Sequence, residues 1–241
     1  MKYAILGDIH ANLEALRAVL EDAETQHVTH YACTGDMVGY NADPKACLQL
    51  IRNLDCSVVQ GNHDYYAACN ESMELFTPMA QKSILWTRRH LSPFERKYLR
   101  QLPMIADVEN FTLVHSSLSN PRLWNYIFKR KAAAAHFRNQ FSQICFFGHT
   151  HVPLAFVKDG ATTSKGFYET LHIRPRAQYL VNVGSVGQPR DRNPKAAYAI
   201  YDLAEQTISM RRVEYDIEAT QRKVRAAGLP FRNALRLENG R

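Results

Sequence analysis

Two aspartates, one asparagine and four histidines fall in five short clusters, and their types suit a two-metal hydrolytic centre. The clusters are Gly7-Asp8-Ile9-His10, Gly35-Asp36, Gly61-Asn62-His63-Asp64, Val114-His115 and Gly148-His149-Thr150-His151. The candidate ligands are Asp8, His10, Asp36, Asn62, His115, His149 and His151, with His63 as an extra imidazole. Carboxylate, imidazole and amide donors without thiolate suit Mn, Fe, Zn or Ni and argue against a structural cysteine-type zinc site. A carboxylate such as Asp36 can bridge two ions. Two ions about 3.5–4 Å apart can hold a hydroxide and neutralise a phosphoryl group during in-line attack. Alone, His115 reads as a core histidine and Gly35-Asp36 as a turn. The weight comes from five clusters in order, each after an apolar run.

That placement has a physical reason. In open α/β sheets, ligand sites form beyond the carboxyl ends of the strands, so distant clusters can converge. Side chains two apart in an extended segment point the same way, so Asp8 and His10 are expected to grip one ion together. His149 and His151 share that spacing, and each can reach a different ion if the turn diverges there.

The elements that must position these residues are legible as alternating strands and helices. Lys2–Leu6, His30–Thr34 and Cys56–Gln60 read as strands. A helix capped by Asn12 shows Leu13, Leu16, Leu20 and Ala23 on one face. A second is expected to open at Asp43-Pro44 as cap and first residue. This alternation predicts α/β architecture with largely parallel pairing. Residues 65–103 break the rhythm and read as an inserted helical cap over one edge of the site. Their apolar positions include Met73, Leu75, Phe76 and Met79, and Ser92-Pro93-Phe94-Glu95 is a capping box. Phe111–His115 and Ile144–Phe147 are two more strands around a helical stretch near Lys131–Phe141. Beyond His151, Leu154–Val157, Phe167–Ile173, Tyr179–Val183, Ala197–Leu203 and Thr207–Tyr215 alternate as antiparallel strands. Residues 217–227 read as a helix ended by Gly228 and Pro230, and the tail beyond is expected to be loosely held. The whole chain, 1–241, reads as one domain with an insertion at about 65–103.

Composition fits an ordinary globular chain: 241 residues, 46% hydrophobic and 22% charged. The apolar N-terminal run stops at Gly7-Asp8, and no stretch approaches the roughly 20 apolar residues of a membrane span. A cytoplasmic protein without membrane attachment is expected. Its five cysteines form no Cys-x-x-Cys pair and read as free thiols. Net charge is +7, and residues 211–241 carry eight Arg or Lys against four acids. That balance favours anionic partners. No nucleic-acid-binding motif or aromatic-interleaved basic stripe accompanies it, and a solvated basic helix is the plainer reading.

The ordered blocks Asp-x-His, Gly-Asp, Gly-Asn-His-Asp, a later His and Gly-His-x-His resemble the calcineurin-like metallophosphoesterase superfamily. The stretches Gly35–Pro44, Leu85-Trp86-Thr87, Asn182–Arg190 and Val213–Ile217 are similar to its small bacterial and archaeal phosphodiesterase branch. The resemblance implies a four-layer αββα sandwich of two mixed sheets flanked by helices, with the metals at one edge. Carried over by motif, Asp8, His10, Asp36 and His151 bind one ion, and Asp36, Asn62, His115 and His149 the second. His63 is implied to be a non-ligand that stabilises the transition state or protonates the leaving oxygen, with Asp64 orienting it. Two divalent ions are implied, Mn first, with Fe, Zn or Ni as alternatives. The implied activity is a phosphodiesterase for nucleotides or dinucleoside polyphosphates such as diadenosine tetraphosphate. Alternatives are a protein Ser/Thr phosphatase, a nuclease, or a silent scaffold of the same fold. The scaffold is disfavoured because no ligand position is missing. Arg190 reads either as a phosphate contact or as a surface cation.

Overall fold

The computed structural model describes residues 1–74 and 76–241. The first half runs β1 (Lys2–Leu6), α1 (Leu13–Thr25), β2 (His30–Cys33), α2 (Pro44–Asn53), β3 (Ser57–Val58), α3 (Asn62–Ala68), α4 (Pro78–His90) and α5 (Pro93–Gln101). Then follow β4 (Ile105–Val108), β5 (Phe111–Val114), α6 (Arg130–Phe137), β6 (Ile144–Phe147), β7 (Ala155–Asp159), β8 (Thr162–Gly166) and β9 (Thr170–His172). The chain closes with β10 (Gln178–Asn182), β11 (Ala196–Asp202), β12 (Thr207–Val213), α7 (Ile217–Ala226) and α8 (Phe231–Asn239).

Twelve strands form two mixed six-stranded sheets, ordered β3-β2-β1-β11-β12-β9 and β4-β5-β6-β10-β7-β8. In the first, β1, β2 and β3 pair in parallel. The strand β11 adds to β1 antiparallel, with Lys2 opposite Asp202 and Ile5 opposite Ala199. In the second, β5, β6 and β10 are parallel, and β4, β7 and β8 run antiparallel to their neighbours.

The period-two alternation of β1 generates the layers. Tyr3 and Ile5 enter an inter-sheet core with Phe111, Leu113 and Phe146. Ala4 and Leu6 face the other way, against Leu16 and Val19 of α1 and Leu48 and Ile51 of α2. On the far side, Cys145, Phe147 and Leu180 pack on Ala133 and Phe137 of α6. The result is the four-layer αββα sandwich, with β6 buried on both faces.

Helix ends follow local chemistry. Asn12 accepts the N–H of Ala15 at 3.1 Å to cap α1, and Ser92 and Glu95 form the capping box of α5. Asp43 departs from its expected role. It makes no side-chain cap bond and accepts from Lys223 Nζ at 2.8 Å. A cation arriving from α7 competes for the carboxylate, and Pro44 at the first helical position lacks an N–H that needs capping.

The segment 65–103 is less uniformly helical than its composition implied. The helix α3 begins at Asn62, and residues 69–74, 76 and 77 do not continue it. Leu75, one of the apolar positions of that segment, lies outside the described residues. The helices α3, α4 and α5 lead from β3 at the edge of one sheet to β4 at the edge of the other, and Phe76–Ala80 wall the cleft over the site. Two further differences concern polar strands and the tail. The strands β4 and β8 escaped the pattern reading, β8 because Thr-Thr-Ser-Lys-Gly has no apolar alternation. The tail is not loose: Asn233, Ala234 and Leu237 of α8 are buried. All five cysteines are free. Among the described residues no helix is long and apolar enough to cross a membrane.

Candidate metal centre

Loops after β1, β2 and β3 of one sheet meet loops after β5 and β6 of the other. The N–H of His149 donates to the Asp8 carboxylate at 2.9 Å, joining the two sheets at this edge. Asp8, His10, Asp36, His149 and His151 all adopt left-handed backbone, with φ between 48° and 66°. Such turns cost roughly 1–3 kcal/mol each for non-glycine residues and concentrate at functional sites. They also correct the expected geometry of Asp8 and His10. The pair meets because both residues turn, not because they share a face of an extended strand.

The turns bring the side chains into two groups of donor atoms. In the first, His10 Nε2 lies 3.1 Å from His151 Nε2, and Asp8 Oδ1 lies 3.3 Å from His151 Nε2. In the second, Asn62 Oδ1 lies 3.0 Å from both His115 Nε2 and His149 Nδ1, and the two ring nitrogens are 3.2 Å apart. Asp36 stands between the groups. Its Oδ2 is 3.6 Å from His10 Nε2 and 3.4 Å from His115 Nε2, while its Oδ1 accepts the N–H of His63 at 2.7 Å.

The outer nitrogen of each imidazole faces a backbone carbonyl. His10 Nδ1 is 3.1 Å from Val38 O, His115 Nδ1 2.8 Å from Thr34 O, His149 Nε2 2.7 Å from Trp124 O, and His151 Nδ1 2.6 Å from Gln188 O. A carbonyl only accepts, so each of these nitrogens carries a proton, and in the neutral ring the inner nitrogen offers a lone pair. Lone pairs of buried His10 and His151 therefore point at each other across 3.1 Å, which is repulsive unless a cation lies between them. This is the arrangement in which second partners orient metal-ligating histidines, and the donor set fits divalent ions.

Electrostatics agree. Burial, reinforced by the charge of Arg190, holds His10 and His151 well below the usual imidazole range, against an upward pull of Asp36 on His10, and burial lowers His149 to about 3. Burial also pushes Asp8 up to about 8. At His115 burial is outweighed by the Asp36 carboxylate, which raises it to about 9. A proton on His115 and a metal ion at the same place would relieve the same Asp36 charge.

His63 is buried, 4.7 Å from the His10 ring and 4.4 Å from the Tyr40 ring. Its Nδ1 has no hydrogen-bond partner among the described residues. It lies within ligand spacing of His10 and Asp36 as well. Among the described residues, Asp64 makes no hydrogen bond to its ring. The Asp64 carboxylate accepts the N–H groups of Asp36 at 2.8 Å, Met37 at 2.9 Å, Val38 at 3.3 Å and Gly61 at 3.1 Å. A buried carboxylate ringed by amide donors is held by them, so it braces the Asp36 turn. Gly61 permits this closeness, since a Cβ there would lie 2.1 Å from Asp36 Oδ1.

The donor groups open into a cleft of about 640 Å³. Tyr66, Phe76, Trp124 and Tyr126 give it aromatic walls, and Arg190, Arg232 and Arg236 give it cations. Tyr126 stacks on the His149 ring at 4.2 Å. Sequence reading left Arg190 undecided and passed over Tyr126, Arg232 and Arg236. The residue 190 follows a Gly-Gln-Pro turn, a faint signal, and the others carried none.

A solved metallophosphoesterase from Sphaerobacter thermophilus is 38% identical, with 100% of this chain and 99% of that chain covered and a TM-score of 0.90. The hypothetical protein PH1004 from Pyrococcus horikoshii OT3 shares the fold at 21% identity, with 100% and 98% covered and a TM-score of 0.82. The uncharacterized protein MJ0912 of Methanocaldococcus jannaschii is 36% identical over 233 residues, 94% of this chain and 93% of its own length. Residues 1–206 match the family model described as the calcineurin-like phosphoesterase superfamily domain. Donor chemistry, fold and these matches agree, and the chain belongs to the calcineurin-like phosphoesterase superfamily, a metal-dependent family of phosphoester hydrolases.

Proposed function

We propose that this protein is a divalent-metal-dependent phosphodiesterase acting on nucleotides, with dinucleoside polyphosphates such as diadenosine tetraphosphate among its substrates. The observation that carries the reading is Asp36, whose Oδ2 stands within 3.6 Å of a histidine nitrogen from each donor group. Asp8, His10, Asp36 and His151 would hold one ion, and Asp36, Asn62, His115 and His149 the other. These donors accept Mn²⁺, our first choice, and also Fe, Zn or Ni. When bound, such ions supply Lewis acidity towards a phosphoryl group and activate a water nucleophile.

The chain's own residues do the rest. Backbone carbonyls of Val38, Thr34, Trp124 and Gln188 fix the four imidazoles before any ligand arrives, so little reorganisation is needed. Burial lowers His63 to about 4, leaving it neutral in the free protein. An anionic phosphate beside it opposes that shift and lets His63 share a proton with the leaving oxygen. The aromatic walls offer a base a stacking surface, which favours a nucleotide over a phosphorylated protein loop. The helices α3 and α4, with Phe76 and Thr77 before α4, act as a wall of one functional unit.

The test is steady-state hydrolysis by metal-stripped protein reloaded with Mn²⁺. Substrates are an aryl phosphodiester, the matching monoester, diadenosine tetraphosphate and a phosphopeptide. Diester or dinucleotide turnover that disappears in Asp36→Asn and His149→Ala is expected. Unchanged turnover in both variants would remove the mechanism, and phosphopeptides far outperforming nucleotides would reverse the substrate assignment.

A further inference from the structure

We propose that Arg190, Arg232 and Arg236 form a second anion subsite, which binds a phosphate next to the one being hydrolysed. The inference rests on the phosphoesterase reading above and goes beyond it. It makes the C-terminal helix α8 a specificity element and the preferred substrate a polyphosphate rather than a simple diester.

The first observation is uncompensated charge. Among other arginines near the C-terminus, Arg211 pairs with Asp22 at 2.7 Å and Arg212 with Asp191, whereas Arg225 lies over the Phe231 ring. Arg190, Arg232 and Arg236 have no carboxylate partner among the described residues, yet all three line the cleft that holds the metal donors. Burial and the charges of Arg190 and Arg232 lower Arg236 from its ordinary value. Three cations lining one cleft with no carboxylate paired to them repel one another in the free protein, and an anion among them removes the repulsion.

The second observation is unused hydrogen-bonding capacity. Arg190 donates through Nη2 to Gln188 at 2.8 Å, while its buried Nε has no partner among the described residues. Its guanidinium lies over the Tyr40 ring at 5.5 Å, which fixes its plane. The remaining N–H groups form the planar fork that matches phosphate oxygens.

The third observation is placement. The N–H of Arg190 donates to the carbonyl of His151 at 3.1 Å, so this arginine adjoins a metal-donor residue. Arg190 and Arg236 are half-buried and Arg232 is exposed. The three thus lead from the donor groups towards solvent, as successive phosphates of a chain would.

The fourth observation is that α8 is held rather than loose. Buried Asn233 donates to the Tyr40 carbonyl and to Ser83 Oγ, both at 3.0 Å. At the other end, the N–H of Arg192 donates to the Gly240 carbonyl at 2.8 Å. Arg232 and Arg236, four apart, share the helix face that borders the cleft. This helix lies beyond residue 206, where the family match ends.

The test uses the full-length, Mn²⁺-loaded protein and an Arg232→Gln/Arg236→Gln variant. Two readouts are taken: the ratio of kcat/KM for diadenosine tetraphosphate to that for an aryl phosphodiester, and calorimetric binding of inorganic tripolyphosphate. The ratio should fall about tenfold or more, as loss of charge-assisted bonds implies, and tripolyphosphate binding should weaken by a similar factor. An unchanged ratio together with unchanged tripolyphosphate binding would overturn the subsite, as would an equal loss on both substrates. If the wild type hydrolyses neither substrate, the phosphoesterase reading fails, and tripolyphosphate binding still decides the subsite by itself. Circular dichroism and Mn²⁺ stoichiometry establish that the variant is folded and loaded.

Discussion

The Asp64 carboxylate accepts the backbone N–H of Asp36 at 2.8 Å, so the Gly-Asn-His-Asp loop braces the Gly-Asp turn. Two further turn amides, from Met37 and Val38, and the N–H of Gly61 complete the clasp. Asn at position 64 keeps the size but turns an amide NH₂ towards N–H donors. We predict that Asp64→Asn destabilises the protein by about 2–4 kcal/mol, the scale of leaving buried donors unpaired beside a lost charged acceptor. It should also weaken Mn²⁺ binding although Asp64 is not a ligand. Urea unfolding and metal titration check this, and an unchanged midpoint and affinity would show that the clasp is dispensable.

Gly39 separates the position of His63 from its identity. Its φ is +94°, and a Cβ there would come within 2.4 Å of His63 Nδ1. Gly39→Ala should displace the His63 ring, lowering kcat at least tenfold in line with loss of a positioned acid–base group. Two Mn²⁺ should remain bound, because no proposed ligand is removed. Metal analysis beside kinetics tests this, and full activity would argue against a chemical role for His63.

How much of this was open to reading follows from the range of each interaction. The donor clusters were legible because glycines and strand ends mark them locally, and the layers because β1, β5 and β6 alternate or stay apolar. The sharp turns at Asp8 and His10 were not, since left-handed backbone at non-glycine residues leaves no pattern in composition. The helix α8 was missed for a different reason. Its buried residues are Asn233, Ala234 and Leu237, and one of its anchors is a hydrogen bond to Tyr40, 193 positions away. The cleft arginines were invisible with it.

That anchor is testable. Asn233→Ala removes the donor to Tyr40 and Ser83 and should cost about 1–3 kcal/mol. Loss of protection should concentrate in residues 229–241, with β5 and β6 unaffected. Amide hydrogen exchange reads this directly, and a uniform change across the chain would contradict the local account.

His136 supplies a pH-dependent prediction away from the donor groups. Burial lowers it to about 3, and its Nδ1 accepts the Leu118 N–H at 3.2 Å. The unfolded chain binds a proton near the ordinary imidazole value while the folded one does not. Stability is therefore full above about pH 6.5 and is lost as pH falls towards 3. Asn can accept the same N–H without titrating. Wild type should lose about 3 kcal/mol relative to His136→Asn between pH 7 and pH 4. Parallel unfolding curves at the two pH values would refute this, since the other histidines titrate in both proteins and cancel.

The most direct measurement of the central claim is the metal content of wild type and Asp36→Asn, taken with diester turnover on the same samples. Two Mn²⁺ per wild-type chain with measurable hydrolysis are expected. In Asp36→Asn, with the residue between the two donor groups altered, fewer than two ions are expected, with a loss of turnover of about a thousandfold, comparable to removing a principal electrostatic element of a site. Two ions and full turnover in Asp36→Asn would mean that Asp36 does not join two metal sites.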